Sequence, residues 1–203
     1  EKEQSIVPGS ETHKSNITLN TDYNLTKSIT VGATANYIVY TAPSIPGQSG
    51  RNNMTMLQFL WSGRQVDMNS LKADYSRNWN SSYYSNPYWT TTYNTQQQER
   101  HRLIGDLHAV FHLATGLELR LKTSTDWYQD RRKAQIRWGT NGTPYGSYSE
   151  DAYTVKEQNS EAIATYTKKL NDDFSLDFLA GFNVRNKQYE NNYQQAPRLA
   201  VAD

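Results

Sequence analysis

Few residues in this chain have the types and spacing to do chemistry. His108 and His112 stand four apart, a spacing that on a helix turns two imidazoles to one face for a metal ion. Leu103, Leu107, Val110 and Phe111 would permit that helix. On a strand the same spacing covers about 13 Å, too far for two ligands that must each sit about 2 Å from one ion. The turn at Thr115-Gly116 and the alternating run after it favour the strand, so both histidines are expected as polar side chains on a wet face, with no metal. Asp130, Arg131, Arg132 and Lys133 form a charged cluster. Its expected role is the solvated base of a loop with local ion pairs; the alternative is recognition of an anionic ligand or lipid headgroups. The paired carboxylates Glu150-Asp151 and Asp172-Asp173 fall where turns and loops collect such residues. There is no Gly-x-Ser-x-Gly elbow, phosphate loop, His-Glu-x-x-His or calcium loop. The chain therefore reads as a non-enzyme, with neither catalytic residues nor a cofactor expected.

Aromatics are the better candidates for contact with a partner. Trp61, Trp79, Tyr84, Tyr88 and Trp89 fall in one polar stretch, residues 41–98, and Trp138 and Tyr145 in another, residues 129–151. Their faces stack on sugar rings and anchor protein interfaces. The competing reading is that they pack loop against loop to keep a long insertion folded, and it is the more economical one. Within the first stretch Met54, Leu57, Leu60 and Trp61 have helical spacing and predict a short helix over 54–61.

The elements that would position these residues show a two-residue period. Ile17, Leu19, Thr21, Tyr23 and Leu25 alternate with polar residues, and after Thr26-Lys27-Ser28 the pattern resumes with Ile29, Val31, Ala33, Ala35, Tyr37 and Val39. A second pair runs through Leu103, Leu107, Ala109, Phe111 and Leu113, then Leu117, Leu119, Leu121 and Trp127. The third turns at Asn171-Asp172-Asp173 into Phe174, Leu176, Phe178, Ala180, Phe182 and Val184. Its first arm, residues 152–169, is weak, with Glu157 and Glu161 on the nominally apolar side. Each pair reads as an antiparallel hairpin with one apolar face. On the polar faces lie Arg102, Arg120, Lys122, Arg185, Asp106, Glu118, Asp126 and Asp177, expected in cross-strand pairs. Tight turns at one end and long connections at the other, 41–98 and 129–151, are the habit of outer-membrane β-barrels, whose strands need about 9–11 residues to cross. A soluble antiparallel sandwich shares the alternation. Six strands do not close a barrel, and the last arm gives way to Gln194-Gln195-Ala196-Pro197, so the chain is expected to be part of something larger.

Composition narrows the classes further. The 203 residues carry 21 basic and 20 acidic side chains, a net charge of +1, which argues against a nucleic-acid binder. Absence of cysteine removes disulfide scaffolds, zinc ribbons and cysteine nucleophiles. A mean hydropathy of −0.86 beside 15 Tyr and 5 Trp fits neither an ordinary soluble core nor a disordered chain. No apolar run approaches the roughly 18 residues of a spanning helix.

From about residue 14 onward the chain resembles the SusC/RagA-type TonB-dependent outer-membrane receptors of Bacteroidetes. The resemblance is carried by Gln58-Phe59-Leu60-Trp61 through Arg64-Gln65-Val66-Asp67, Asn86-Pro87-Tyr88-Trp89, and Glu99-Arg100 with Arg102-Leu103-Ile104-Gly105. Further along it is carried by Thr125-Asp126-Trp127-Tyr128 with Asp130-Arg131-Arg132, Tyr148-Ser149-Glu150-Asp151, and Lys168-Lys169-Leu170 with Asp172-Asp173-Phe174. The resemblance implies an all-β fold, an antiparallel transmembrane segment of about six strands in three hairpins within a 22-stranded barrel. It places residues 1–203 in one barrel domain in the bacterial outer membrane, with 41–98 and 129–151 as extracellular loops. It implies import of oligosaccharides or peptides, a SusD-like surface lipoprotein as partner, contact with outer-membrane lipid, and a TonB complex acting through a plug and N-terminal segment that these residues do not include. On that reading the lumen charges pair across strands or face the plug. The alternatives are a soluble β-rich carbohydrate-binding module and a surface adhesin.

Overall fold

A computed structural model of the chain describes residues 1–7, 9–45, 55–80 and 83–202. It is one antiparallel sheet in which every strand pairs with its sequence neighbour, so the hairpins expected as three separate pairs form a continuous meander. The strands are β1 (Lys2–Gln4), β2 (Glu11–Thr26), β3 (Ile29–Ala42), β4 (Thr95–Ala114), β5 (Leu117–Ile136), β6 (Ser147–Lys169) and β7 (Ser175–Ala196). The six long strands are those the alternation marks; β1 is a three-residue edge strand that the pattern is too short to reveal. Three short helices sit between β3 and β4: α1 (Thr55–Trp61), α2 (Met68–Ala73) and α3 (Pro87–Tyr93). Met54, expected to begin α1, lies outside the described residues.

The short connections are built by side chains that suit them. Gly116 closes the β4–β5 turn at φ +78°, and a side chain there would run into the Thr167 carbonyl of β6. At the β6–β7 turn the Asn171 carboxamide oxygen accepts from the Asp173 and Phe174 amides, at 3.1 and 2.8 Å. Thr26 does the same for the Ser28 amide at 3.1 Å.

Register assigns the two faces. Across one row Ala33, Leu107, Thr123, Ser160 and Val184 align; across the next on the same face Val31, Ala109, Leu121, Ala162 and Phe182 do. This face carries the alternating apolar residues of every hairpin. The other carries Asp22, Gly32, His108, Lys122, Glu161 and Asn183 in one row. Glu161 and Glu157 therefore stand on the polar face, opposite Lys122 and Asp126, and the expected phase of β6 is off by one. The confusion comes from Val155 and Ile163, which share the odd positions with those glutamates, whereas the apolar side is Ala162, Ala164 and Tyr166.

Almost nothing covers the apolar face. The buried apolar side chains among the described residues are Ala42, Leu71, Pro87 and Val155, while Ile17 is 74% exposed, Phe182 70% and Leu107 62%. The accessible surface is 14003 Å², where a compact soluble protein of this mass exposes about 9,700 Å². A soluble module whose apolar faces meet in one core would not leave that excess. Eleven residues of β4, 103–113, tilted about 40° give an apolar band about 25 Å tall, the height of an outer-membrane barrel's outward face. Tyr37, Leu103 and Trp127 share one row at the far edge of that band, the level at which membrane barrels carry their aromatic girdle. No helix among the described residues is long and apolar enough to cross a membrane, which leaves crossing by strands untouched.

β5 and β6 run well past the band, so the connection expected over 129–151 is residues 137–146 only. β7 likewise continues through Gln194 and Gln195 to Ala196, where a loose tail was expected. Amide-rich stretches lack the apolar alternation that marks a half-buried strand, because both of their faces are wet.

Candidate functional site

The connection between β3 and β4 is a packed unit held by amides. Gln58 of α1 is fully buried and donates to the Thr90 hydroxyl of α3 at 2.9 Å. Asn86 caps α3 by accepting from the Tyr88 amide at 2.8 Å, and its amino group donates to the Leu71 and Arg77 carbonyls at 2.8 and 3.0 Å. One side chain thus ties α3 to α2 and to the chain beyond it. Residues 137–146 are pinned to the same unit. Asn94 accepts from the Arg137 amide at 3.0 Å and the Thr140 hydroxyl at 3.2 Å, and Asn141 donates to the Tyr84 carbonyl at 2.6 Å.

The candidate aromatics fall into three groups inside this unit. Trp61 and Trp79 both stack on Tyr84, with centroids 6.4 and 5.6 Å away. Trp89 meets Tyr93 edge-on at 4.8 Å, Tyr93 meets Tyr75 at 6.2 Å, and Tyr75 stacks on Tyr88 at 6.3 Å. Arg137 lies 4.1 Å over Tyr93 and 5.5 Å over Trp89, whose indole N–H donates to Thr140 at 3.2 Å. Trp138 meets Tyr145 edge-on at 5.2 Å, with Arg198 over Tyr145 at 5.0 Å. Trp61 is 65% exposed and Tyr145 46%, while Trp79, Tyr84, Tyr88, Trp89 and Trp138 are partly covered. Every one of the seven thus has an aromatic neighbour, and Trp61 and Tyr145 keep the most open surface.

A second constellation lies on the strands and escapes the sequence pattern. The cluster Asp130–Lys133 is not the base of a loop. It lies in β5, where period 2 sends Asp130 and Arg132 to the polar face and Arg131 and Lys133 to the other. Asp130 is 1% exposed. Arg100 of β4 grips it through Nε at 2.9 Å and through Nη2, Arg132 through Nη2 at 3.1 Å, and Gln98 donates to both carboxylate oxygens at 3.0 and 2.9 Å. Burial alone pushes this carboxyl up. The bonds from Arg132, Arg100 and Gln98 outweigh that and hold it below the ordinary aspartate range. Asp130 stands beyond the Trp127 row, outside the apolar band.

Around the clamp the register gathers tyrosines from four strands. Tyr40, Arg100, Asp130, Tyr153 and Asn191 form one row; Gln98, Arg132, Asp151 and Tyr193 form the next outward; Arg102, Tyr128, Val155 and Tyr189 the next inward. Arg100 lies 5.5 Å over Tyr128 and Arg132 5.3 Å over Tyr153, with Tyr189 6.1 Å from Tyr153. Asp151 accepts from the Tyr153 hydroxyl and from Asn191 at 2.7 Å. Each residue was visible singly; only the pairing of distant strands brings them together.

Deeper on the polar face several of the expected charges pair across strands. Arg102 binds Asp126 through two bonds of 2.9 and 2.6 Å, and Arg185 binds Glu157 at 2.7 Å. His108 reaches Asp106 at 3.1 Å and, over Gly32, Asp22 at 3.0 Å, while His112 pairs with Glu118 at 3.4 Å. The two histidines lie in one strand and serve separate carboxylates. Among the described residues no group of three or more His, Cys, Asp or Glu side chains is placed to hold a metal ion.

An uncovered apolar band on one face, a charged and tyrosine-rich opposite face and a folded insertion at one end are the features of a segment of β-barrel wall. Solved structures agree on the fold. The chain aligns over 92% of its length with the RagAB peptide transporter at TM-score 0.66 and 14% identity. It aligns over 92% with the RagAB peptide importer in its 'open-open' state at 0.70 and 14%, and in its 'closed-closed' state at 0.61 and 15%. It spans 22% to 25% of the length of those chains. No protein-family model and no curated protein sequence matches it.

Proposed function

We propose that this chain is part of the wall of a TonB-dependent outer-membrane importer of the SusC/RagA type, which takes up oligosaccharides or peptides with a SusD-like surface lipoprotein as partner. The observation that carries the reading is the exposed apolar band on a meander whose other face is charged and hydrogen-bonded, in a fold like that of the RagAB transporter chains. The short turns then face the periplasm, and the insertion between β3 and β4, with residues 137–146 against it, stands outside the cell. Trp61, Trp79, Tyr84, Tyr88, Trp89, Trp138 and Tyr145 serve there as contacts for substrate or lipoprotein, Trp61 and Tyr145 first because they keep the most open surface. TonB engages parts of the protein beyond these residues, and residues 1–203 all belong to the one barrel domain.

The test is fractionation followed by uptake. The protein carrying this segment should be found in the outer membrane, and deleting its gene should abolish energised uptake of a defined oligosaccharide or peptide mixture. Recovery in the soluble fraction without detergent would overturn the reading, as would unchanged uptake of every substrate class tried.

A further inference from the structure

Asp130 is more fully answered than a structural ion pair requires. One guanidinium and the Gln98 amide would satisfy its two oxygens, yet two arginines converge on it. Each guanidinium spends its Nε and one terminal nitrogen on the carboxylate, and the Nη1 group of both has no partner among the described residues. The two arginine side chains stay 38% and 51% exposed above an aspartate that is itself sealed. Each also lies over a tyrosine ring, Arg100 over Tyr128 and Arg132 over Tyr153. The hydroxyls of Tyr128, Tyr189 and Tyr193 bond to nothing else among the described residues. A recess of about 390 Å³ flanks each arginine: one beside Arg100 with Arg102, Lys14 and Tyr40, and Glu1 and Glu3 on its wall; the other beside Arg132 with Asp151 and Tyr193.

We infer that the Asp130-held pair Arg100 and Arg132, with the tyrosines around it, is a binding site for a carboxylate carried on an oligomeric substrate. The buried aspartate fixes both guanidiniums, so their free N–H groups point without the entropy cost a loose arginine would incur. A ligand carboxylate accepts from Nη1, and the tyrosine rings and hydroxyls receive the backbone or ring that carries it. Counting Asp151 with Asp130, the patch is formally neutral, so it selects by directed donors rather than by a broad positive field. The inference rests on the reading that this face lines an import path, and it names the chemistry recognised there. An acidic peptide and a uronic-acid oligosaccharide present the same group.

The test uses the intact barrel protein purified in detergent and titrated calorimetrically with four probes. These are a pentaglutamate peptide, its pentaglutamine amide, trigalacturonate and its methyl ester. The expected result is binding of at least one acid about tenfold or more tighter than its neutral counterpart, and which acid wins identifies the source. In the Arg100→Gln/Arg132→Gln double variant that ratio should fall to about one, while residual binding of the neutral probe is unchanged. Arg185→Gln, which breaks an ion pair deeper in the same face, should keep the ratio. A wild-type ratio of one, or a ratio that survives the double variant, overturns the inference. Heat-modifiable electrophoretic mobility shows whether each variant barrel has assembled. Failure of the import reading would appear separately, as absence of the protein from the outer membrane.

Discussion

Leu107 tests the assignment of faces most directly. It sits near the middle of the apolar band, 62% exposed, between Ala33 on β3 and Thr123 on β5. Arginine on the lipid face of a barrel costs about 2–4 kcal/mol at mid-membrane and about 0–1 kcal/mol near the interface. Leu107→Arg should therefore lower the folding equilibrium of the assembled barrel by about thirtyfold to several hundredfold. Leu103 lies four residues outward in the Tyr37–Trp127 row, about 13 Å along the strand and about 10 Å nearer the interface. Leu103→Arg should cost under about 1 kcal/mol. Leu119, in a row with Phe111 and Ala164 toward the short-turn end, should fall between the two. On the other face Ser124 stands opposite Asp106, so Ser124→Arg gains an acidic neighbour and should assemble as well as the unaltered protein. The assay is urea titration of the barrel in lipid vesicles, read by the electrophoretic shift of the folded form. Equal stability of Leu107→Arg and Ser124→Arg, or the reverse order, would refute the facing. A flat response across Leu103, Leu107 and Leu119 would refute the depth.

Gly32 lets His108 reach Asp22 across an intervening strand, because any side chain there would occupy the imidazole's place; Gly32→Val should cost about 0.5–1.5 kcal/mol in the same titration through loss of that bond, whereas Gly181→Val, with its nearest neighbour at 3.5 Å, should cost little. Trp89→Ala removes the ring between Tyr93, Arg137 and Thr140 and should expose the β3–β4 insertion to protease, while Trp61→Ala should leave cleavage unchanged and act only on ligand or partner binding. Asp130 has a folded-state pKa below the ordinary aspartate value, so its contribution is complete above about pH 4 and is lost as acid protonates it below that. Asp130→Asn should remove that acid-sensitive component, and a pH–stability profile identical to the unaltered protein's below pH 4 would contradict the clamp.

Alternation made β2, β3, the inner halves of β4 and β5, and the first half of β7 legible, because in those stretches one face is apolar and the other polar. The signal stopped where the strands left the band. Gln96, Gln97, Gln98 and Glu99 in β4, and Lys187, Glu190, Asn191 and Asn192 in β7, are strand residues wet on both sides. No period survives there, and nothing in the sequence marks those residues as strand. In β6 the period survived but its phase did not, since Val155 and Ile163 are apolar residues on the polar face. Sequence alone cannot say which of two half-apolar sides is outside until a neighbouring strand of clear phase is laid beside it.

That same dependence on register explains why the loop aromatics were visible as a candidate site and the tyrosine–arginine patch was not. Trp79, Tyr84, Tyr88 and Trp89 are close in the chain, so composition marks them. Arg100, Arg132, Tyr153, Tyr189 and Tyr193 come from four strands and up to 93 positions apart, and only hydrogen-bonded rows make them neighbours. The difference bears on what each group is for. Local aromatics can fold together when the insertion forms, and here each has an aromatic partner. Residues recruited across four strands are brought together by no single hairpin. Holding Arg100 and Arg132 over one buried carboxylate adds a cross-strand tie between β4 and β5, but the Nη1 groups and the tyrosine hydroxyls left over add nothing to the sheet. Donors that the fold positions and does not use are the feature by which a binding face differs from a merely polar one, and on this sheet they collect just beyond the apolar band.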